Sequence, residues 1–517
     1  MNSFPWLTVL LIVPAAGSLV VSFLPRSRPV LAKQLTLLVS LAVFVFALLA
    51  TIAYDPDKAG FQFTQKHSWI SQFGISYSVG ADGISIVLLL LSAVLVPIVV
   101  LASWHEADDG RRSVPAFFAL ILALEAGMIG VFAATDVFLF YVFFEAMLIP
   151  MYFLIGSYGS PAEQAQRSYA AVKFLLYSLF GGLLMLAAVI GLYVVAAQHG
   201  NGTFDFVALS HLHITPGVQK LLFLGFFIAF AIKAPLVPFH TWLPDAGAQS
   251  PTGGAVLLVG VLDKVGTFGL IRYCIPLFPD ASRYFAPLVL ALAVIGIFYG
   301  ALLAIGQRDM KRLVAYTSVA HFGFIALGVF AFTSQAGTGA VLYMVNHGLS
   351  TGLLFFVVGF LVQRRGSRDI GAYGGMAQVT PLLAGSFLIA GLSSLALPGL
   401  NSFVSEFLVL AGTFTRYKAL AIVATCGIVL AAIYILYLYQ RTMTGPVVHE
   451  ENKHVLDLSF REKLVVAPII ALIVALGVYP KPILDIITPS VTATFNDSGH
   501  HDPTPTVAVA STQHGGH

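Results

Sequence analysis

Apolar runs of bilayer length follow one another along almost the whole chain, which leaves room for little except a bundle of membrane helices. They recur near 4–24, 31–53, 83–103, 115–134, 136–156, 167–197, 217–239, 251–276, 284–304, 311–332, 338–363, 380–415, 418–441 and 464–481. About twenty predominantly apolar residues, wound as a helix, cover the roughly 30 Å hydrocarbon layer. The polar intervals reach at most about thirty residues, too few for a soluble domain with its own core. The residue balance agrees: 58% of the chain is hydrophobic and 10% charged, against about 25% charged in a soluble protein. The expected class is all-α integral membrane, with about 14 transmembrane helices.

Several functions are excluded at this level. A net charge of +3 gives no electrostatic footprint for nucleic acid. The two cysteines, Cys274 and Cys426, stand alone in separate apolar runs, so they cannot hold an iron–sulfur cluster and read as small buried hydrophobes. Neither a Walker loop nor a Gly-x-Gly-x-x-Gly turn is present, so nucleotide or redox energy must come from elsewhere. No cofactor is expected in this chain.

Charge sets an orientation. No basic residue precedes the first run, whereas Arg26, Arg28 and Lys33 follow it, so it reads as a span and not as a cleaved leader. Placing that loop in the cytoplasm puts sixteen Lys and Arg residues in the odd-numbered loops, among them Arg111, Arg112, Arg308, Lys311, Arg364 and Arg368. Seven are left opposite: Lys58, Lys66, Lys220, Arg283, Arg416, Lys418 and Lys481. Cytoplasmic loops carry the basic excess, so both termini are expected outside. Residues 1–114 then hold three spans, 115–276 and 277–445 five each, and 446–494 a loop and a last helix. A disordered tail with His500, His501, His514 and His517 covers 495–517.

The two five-span units are interrupted at matching places. Lys233-Ala-Pro235 cuts the seventh span, and Leu397-Pro-Gly-Leu-Asn401 cuts the twelfth, with Glu406 following. Proline and glycine breaks at corresponding positions mark transporter repeats, and an odd number of spans per unit makes the repeat inverted.

Ionisable groups lie inside these runs: Glu125, Asp136, Glu145, Lys173, Lys233, Asp263, Lys264, Arg272, His321, His347 and Glu406. A charge at a helix centre costs about 2.5–3.5 kcal/mol on insertion scales and turns inward to partners or water. Any one could be a structural ion pair, a reading strongest for Arg272 and Glu125 near the ends of their spans. Glu145, in FLFYVFFEAMLIP, has no local partner. Burial disfavours its charge and that of Lys233 or Lys264, and approach of the opposite charge restores both. A Glu–Lys pair of variable separation is therefore a proton switch. His321 and His347 are each followed by glycine, leaving space beside rings that titrate near neutral pH. A hydrogen-bonded core histidine and bis-histidine haem ligation are the alternatives.

KAPLVPFHTWLPDA, Lys233 to Ala246, resembles the antiporter-like proton-translocating subunits of complex I, the NADH:quinone oxidoreductase, and of Mrp antiporters. So do Thr135–Gly159, Arg167–Gly182, Arg308–Phe324 and Met344–Phe355, which together extend the likeness over most of the chain. In Leu397–Gly412, glutamate at 406 resembles the subunit M branch, where subunits L and N and the Mrp proteins typically carry lysine. The resemblance implies a switch pair of Glu145 and Lys233, a central Lys264, a terminal Glu406, and a path lined by His321 and His347. It also implies supporting positions at Lys173, Asp136 and Asp263 and a place in the bacterial inner membrane beside subunits such as L and N. FMN, iron–sulfur clusters and quinone would belong to partner subunits. Many relatives read Asp-Ala-His-x-Glu-Ala-Pro where this chain has Asp245-Ala-Gly247-Ala-Gln249-Ser-Pro251, so an intake route using that His and Glu is absent. A cation/proton antiporter subunit and a structural scaffold remain the rival readings.

Overall fold

The computed structural model describes residues 4–503 except positions 59, 109, 111, 161, 162 and 201. Helices α1 (Trp6–Ser22) and α2 (Pro29–Ala53) are followed by a hairpin of β1 (Gln62–Ile70) and β2 (Ile75–Ala81). Then come α3 (Gly83–Ala102), α4 (Val114–Ala133), α5 (Val137–Tyr158), α6 (Gln164–Gln198), α7 (Pro216–Lys233), α8 (Trp242–Gln249) and α9 (Thr252–Leu277). The second half holds α10 (Pro279–Ile305), α11 (Met310–Phe330), α12 (Ser334–Arg365), α13 (Pro381–Ser394), α14 (Asn401–Arg416), α15 (Lys418–Met443), α16 (Phe460–Val478) and α17 (Lys481–Asp497).

Among the described residues eleven helices are long and apolar enough to cross a membrane, or twelve if α16 and α17, bent by 70°, count as one span. The halves of the broken twelfth span, α13 and α14, are each too short alone. Prolines open α2, α7, α10 and α13, where the missing N–H is one the helix could not use anyway. Asp82, Ser113, Asp136, Asp309, Thr333 and Ser459 cap others through their side chains, satisfying first-turn donors.

Burial separates two populations. The most apolar window of α9 is wholly enclosed and those of α11 and α12 are 94% buried, whereas α2 is 28% buried. The central helices therefore carry the ionisable groups and the outer ones present a hydrocarbon face.

Two features depart from the expected all-α chain with a tail from 495. The hairpin pairs Gln62 with Ala81, Lys66 with Ser78 and Ser68 with Ser76. Asp136 fixes it to α5 by accepting from Ser76 N and Oγ at 3.0 and 3.1 Å. At the other end of the chain, α17 runs to Asp497 because Phe495 is buried against Gly337 and the Phe332 ring. Beyond it, Arg283 donates to the carbonyls of Ser498 and Gly499, Arg416 donates to that of His501, and His500 meets the Phe332 ring edge-on at 4.0 Å. His514 and His517 lie outside the described residues.

Burial, with the cations of Arg283 and Arg416 and nearby His501, pushes the His500 imidazole from 6.5 down to about 4. The released segment binds a proton more readily than the docked one, so docking is strongest above about pH 6.5 and weakens as the pH falls toward 4. A shift of this size is worth at most about 3 kcal/mol. Hydrogen exchange on the purified protein should show residues 498–503 losing protection between pH 7.5 and 5. His500→Phe should remove that dependence, and equal protection at both values would refute it.

Candidate functional site

The seventh span breaks because Pro235 has no N–H to offer and the chain turns away at Ala234. Two carbonyls freed by the break are taken up locally. Ala231 O accepts from Leu236 N at 2.9 Å, and Ile232 O accepts from the Trp242 indole at 2.9 Å. The break thus leaves Lys233 as the last residue of α7, 1% exposed. Its Nζ makes no hydrogen bond and lies 5.0 Å from the Phe144 ring centre and 5.6 Å from that of Phe174. The anions acting on it are Glu145 and Asp263. Glu145 is half-buried on α5, with Oε1 unpartnered. Its carboxylate fills the space above Gly182 on α6, where a methyl group would collide with it.

On α9 the Asp263–Lys264 pair follows a π-helical turn, Leu258–Leu262, closed by Asp263 N donating to Leu258 O at 3.1 Å. Such wide turns are rare and cluster at functional positions. A second one covers Leu270–Cys274. Lys264 Nζ donates to the Val259 carbonyl, lies 2.7 Å from His347 Nδ1 and stands over the Phe322 ring.

From His347 the polar side chains continue through ring contacts and hydrogen bonds. The rings of His347 and His321 meet edge to face at 5.2 Å between centres. His321 Nε2 is 3.5 Å from the Tyr434 hydroxyl, its ring is 5.8 Å from that of Tyr343, and Tyr343 donates to Glu406 Oε2 at 3.0 Å. Lys264, the two histidines, the two tyrosines and Glu406 are all at most 4% exposed. The edge-to-face histidines leave no slot for a haem between them. A buried amide–hydroxyl network fastens the second break to α12. Ser350 Oγ lies 2.5 Å from Ser393 Oγ, Ser393 donates to Asn401 Oδ1 at 2.5 Å, and Asn346 donates to Asn401 O at 2.8 Å. This network fixes α14, and with it Glu406.

At the helix ends away from the hairpin, Asp245 on α8 accepts from Lys173 at 2.8 Å and from Arg312 at 2.6 Å. Gln249 donates to Glu163 at 2.7 Å, and Arg368 binds both Glu163 and the Ala248 carbonyl. The bonds from Gln249 and Arg368 hold the Glu163 carboxyl below its usual range against the cost of burial. Of these, Glu163, Ala248 and Arg368 border a cavity of about 760 Å³ that also meets Glu106, Arg308 and Lys311. Glu106 accepts from Thr252 N at 2.6 Å and Gly253 N at 3.3 Å, so the helix bearing Lys264 begins on a carboxylate. Gln249, Glu163 and Arg368 thus form one hydrogen-bonded chain beside the cavity.

The structure therefore brings Glu145, Lys233, Asp263, Lys264, His321, His347 and Glu406 into one series and ties Lys173 to Asp245 on α8. It does not add Asp136, whose carboxylate is used up by Ser76 and the first turn of α5. Arg272 is ion-paired to Asp82, and Glu125 is buried with neither oxygen hydrogen-bonded. Sequence reasoning overlooked Tyr343, Tyr434 and Glu106. Tyr343 had a signal, since 343, 347 and 350 share one face of a helix. Tyr434 had none.

Known proteins resemble this chain over most of its length. Residues 134–431 match the family described as NADH:quinone oxidoreductase/Mrp antiporter, TM, and residues 9–129 match NADH-ubiquinone oxidoreductase chain 4, amino terminus. NADH-quinone oxidoreductase subunit M of Mycobacterium tuberculosis strain H37Rv is 52% identical, over 98% of this chain and 97% of its own length. The Rhodobacter capsulatus subunit M is 40% identical, over 94% and 95%. A chain of respiratory complex I from Thermus thermophilus superposes with a TM-score of 0.85 at 32% identity, over 95% of this chain and all of that one. A chain of the Mrp complex from Dietzia sp. DQ12-45-1b shares the fold at a TM-score of 0.80 and 21% identity, over 95% and 98%.

Proposed function

This chain belongs to the NADH:quinone oxidoreductase/Mrp antiporter family of membrane subunits, and on that premise we propose that it is the proton-translocating subunit M of a bacterial-type complex I. The observation that carries the reading is the buried series from Lys233 to Glu406, which ends on a carboxylate and contains two histidines and two phenols able to pass a proton. Lys233 and Glu145 form the switch. When they approach, both charges are stabilised; when they separate, the ammonium gives up its proton.

Lys264 takes the proton next, His347 and His321 carry it, and Glu406 releases it on the hairpin side, which is the outside. The cavity at Glu106, Glu163 and Lys311 is the cytoplasmic intake. Both termini then lie outside, the fourteen spans comprise two inverted five-helix repeats, and subunits L and N are the flanking partners. The chain works as a translocase without redox centres, and FMN, iron–sulfur clusters and quinone are carried by other subunits. Moving one charge against the field costs about 2.3 kcal/mol per 100 mV, supplied through contacts with those subunits.

Tagged chain purified from membranes should bring down NADH-oxidising and quinone-binding subunits, and NADH should acidify liposomes containing the assembly. Recovery of antiporter-like chains only, with sodium-dependent exchange and no response to NADH, would favour the Mrp-type reading instead.

A further inference from the structure

We propose that Asp263 is a relay carboxylate shared by Lys233 and Lys264, holding the proton in transit between them. This rests on the translocation reading above and adds to it the step between the two lysines.

The geometry begins at Gly266, one helical turn beyond Asp263. A methyl group there would run into the backbone of Phe230 and Ala234, and one at Gly269 into the Phe230 ring. This stretch of α9 therefore lies directly on the end of α7 that carries Lys233. Residues three apart on a helix share a face, so Asp263 looks toward that end as Gly266 does. The π-helical turn before it widens the helix at this contact.

Asp263 is fully buried, and neither carboxylate oxygen has a hydrogen-bond partner among the described residues. A static ion pair with its neighbour would spend it, but the Lys264 amine is held by Val259 and His347. Its charge acts on both lysines, while that of Glu145 acts on Lys233 and not on Lys264. No other carboxylate among the described residues couples the two.

The step balances without redox chemistry. An N–H bond of the Lys233 ammonium breaks as an O–H bond forms on Asp263; that O–H bond then breaks as an N–H bond forms on neutral Lys264. The ionisable groups acting at the site are Lys233 on α7, with Glu145 behind it, and His321 on α11 and His347 on α12 beside Lys264; Glu125 on α4 interacts with neither lysine, and α3 offers none.

The test uses the assembled complex in inverted membrane vesicles, with pumping expressed per unit of NADH:ferricyanide activity to correct for assembly. Asp263→Asn should lower pumping by about tenfold or more, the scale of a lost proton-transfer group. Asp263→Glu should restore it to within about threefold, with the pH profile displaced by about half a unit or more. Pumping by Asp263→Asn within about twofold of wild type would overturn the relay. Should that variant not assemble, Asp263→Glu decides: a displaced profile supports the relay and an unchanged one rejects it. Lys233→Ala separates the two readings. If it pumps normally the translocation reading fails; if it is inactive while Asp263→Asn pumps, only the relay fails.

Discussion

Replacing Lys233 with alanine should reduce NADH-driven proton pumping by about a hundredfold in fully assembled complex, and Glu145→Gln should do nearly the same. Lys233 has no hydrogen bond to lose, and its surroundings are the Phe144 and Phe174 rings, Glu145 and Asp263. Its removal takes away the cation between two carboxylates without breaking a hydrogen bond. Assembly should therefore survive while transport stops. Fluorescence quenching in vesicles, scaled to NADH:ferricyanide activity, reads the two separately. Wild-type pumping in either variant rejects the switch pair. Parallel loss of assembly and pumping would instead support a scaffold role for these groups.

The second large effect concerns the fold. Asp82 both accepts from Ser85 N at the start of α3 and pairs with Arg272, a residue only 5% exposed whose guanidinium lies over the rings of Phe61, Phe206 and Phe268. Asp82→Ala strands a buried cation, which costs about 3–5 kcal/mol, and removes a cap worth about 1 kcal/mol. Yield and thermal stability should fall sharply. Asp82→Asn, which keeps the cap but not the charge, should fall by less. An alanine variant with unchanged melting would show that the aromatic rings alone hold Arg272.

Much of this was legible in the residues because a membrane simplifies the problem. Apolar run length gave the spans, and the cost of an interior charge singled out Lys233, Lys264 and Glu406. Proline without an N–H marked both breaks. What escaped had no such penalty. The hairpin at 62–81 lies in a polar interval where extended and irregular chain read alike. Tyr434 is one tyrosine among nineteen, and its place beside His321 depends on how α15 meets α11, which no local pattern encodes. Asp136 misled for the opposite reason. It sits within an apolar stretch by sequence, yet it is the first polar residue of a helix and is consumed as a cap.

The bond from the Trp242 indole to the Ile232 carbonyl gives the interrupted seventh span a mechanical character. That hydrogen bond bolts the start of α8 to the last turn of α7 across the gap. Asp245, three residues beyond the bolt, is anchored to Lys173 on α6 and Arg312 on α11. The span is therefore a bell-crank. Its pivot is the indole, one arm ends on Lys233, and the other is held by those two cations. The end of α7 that carries Lys233 and the Lys173–Asp245–Arg312 cluster are thus joined through one short helix.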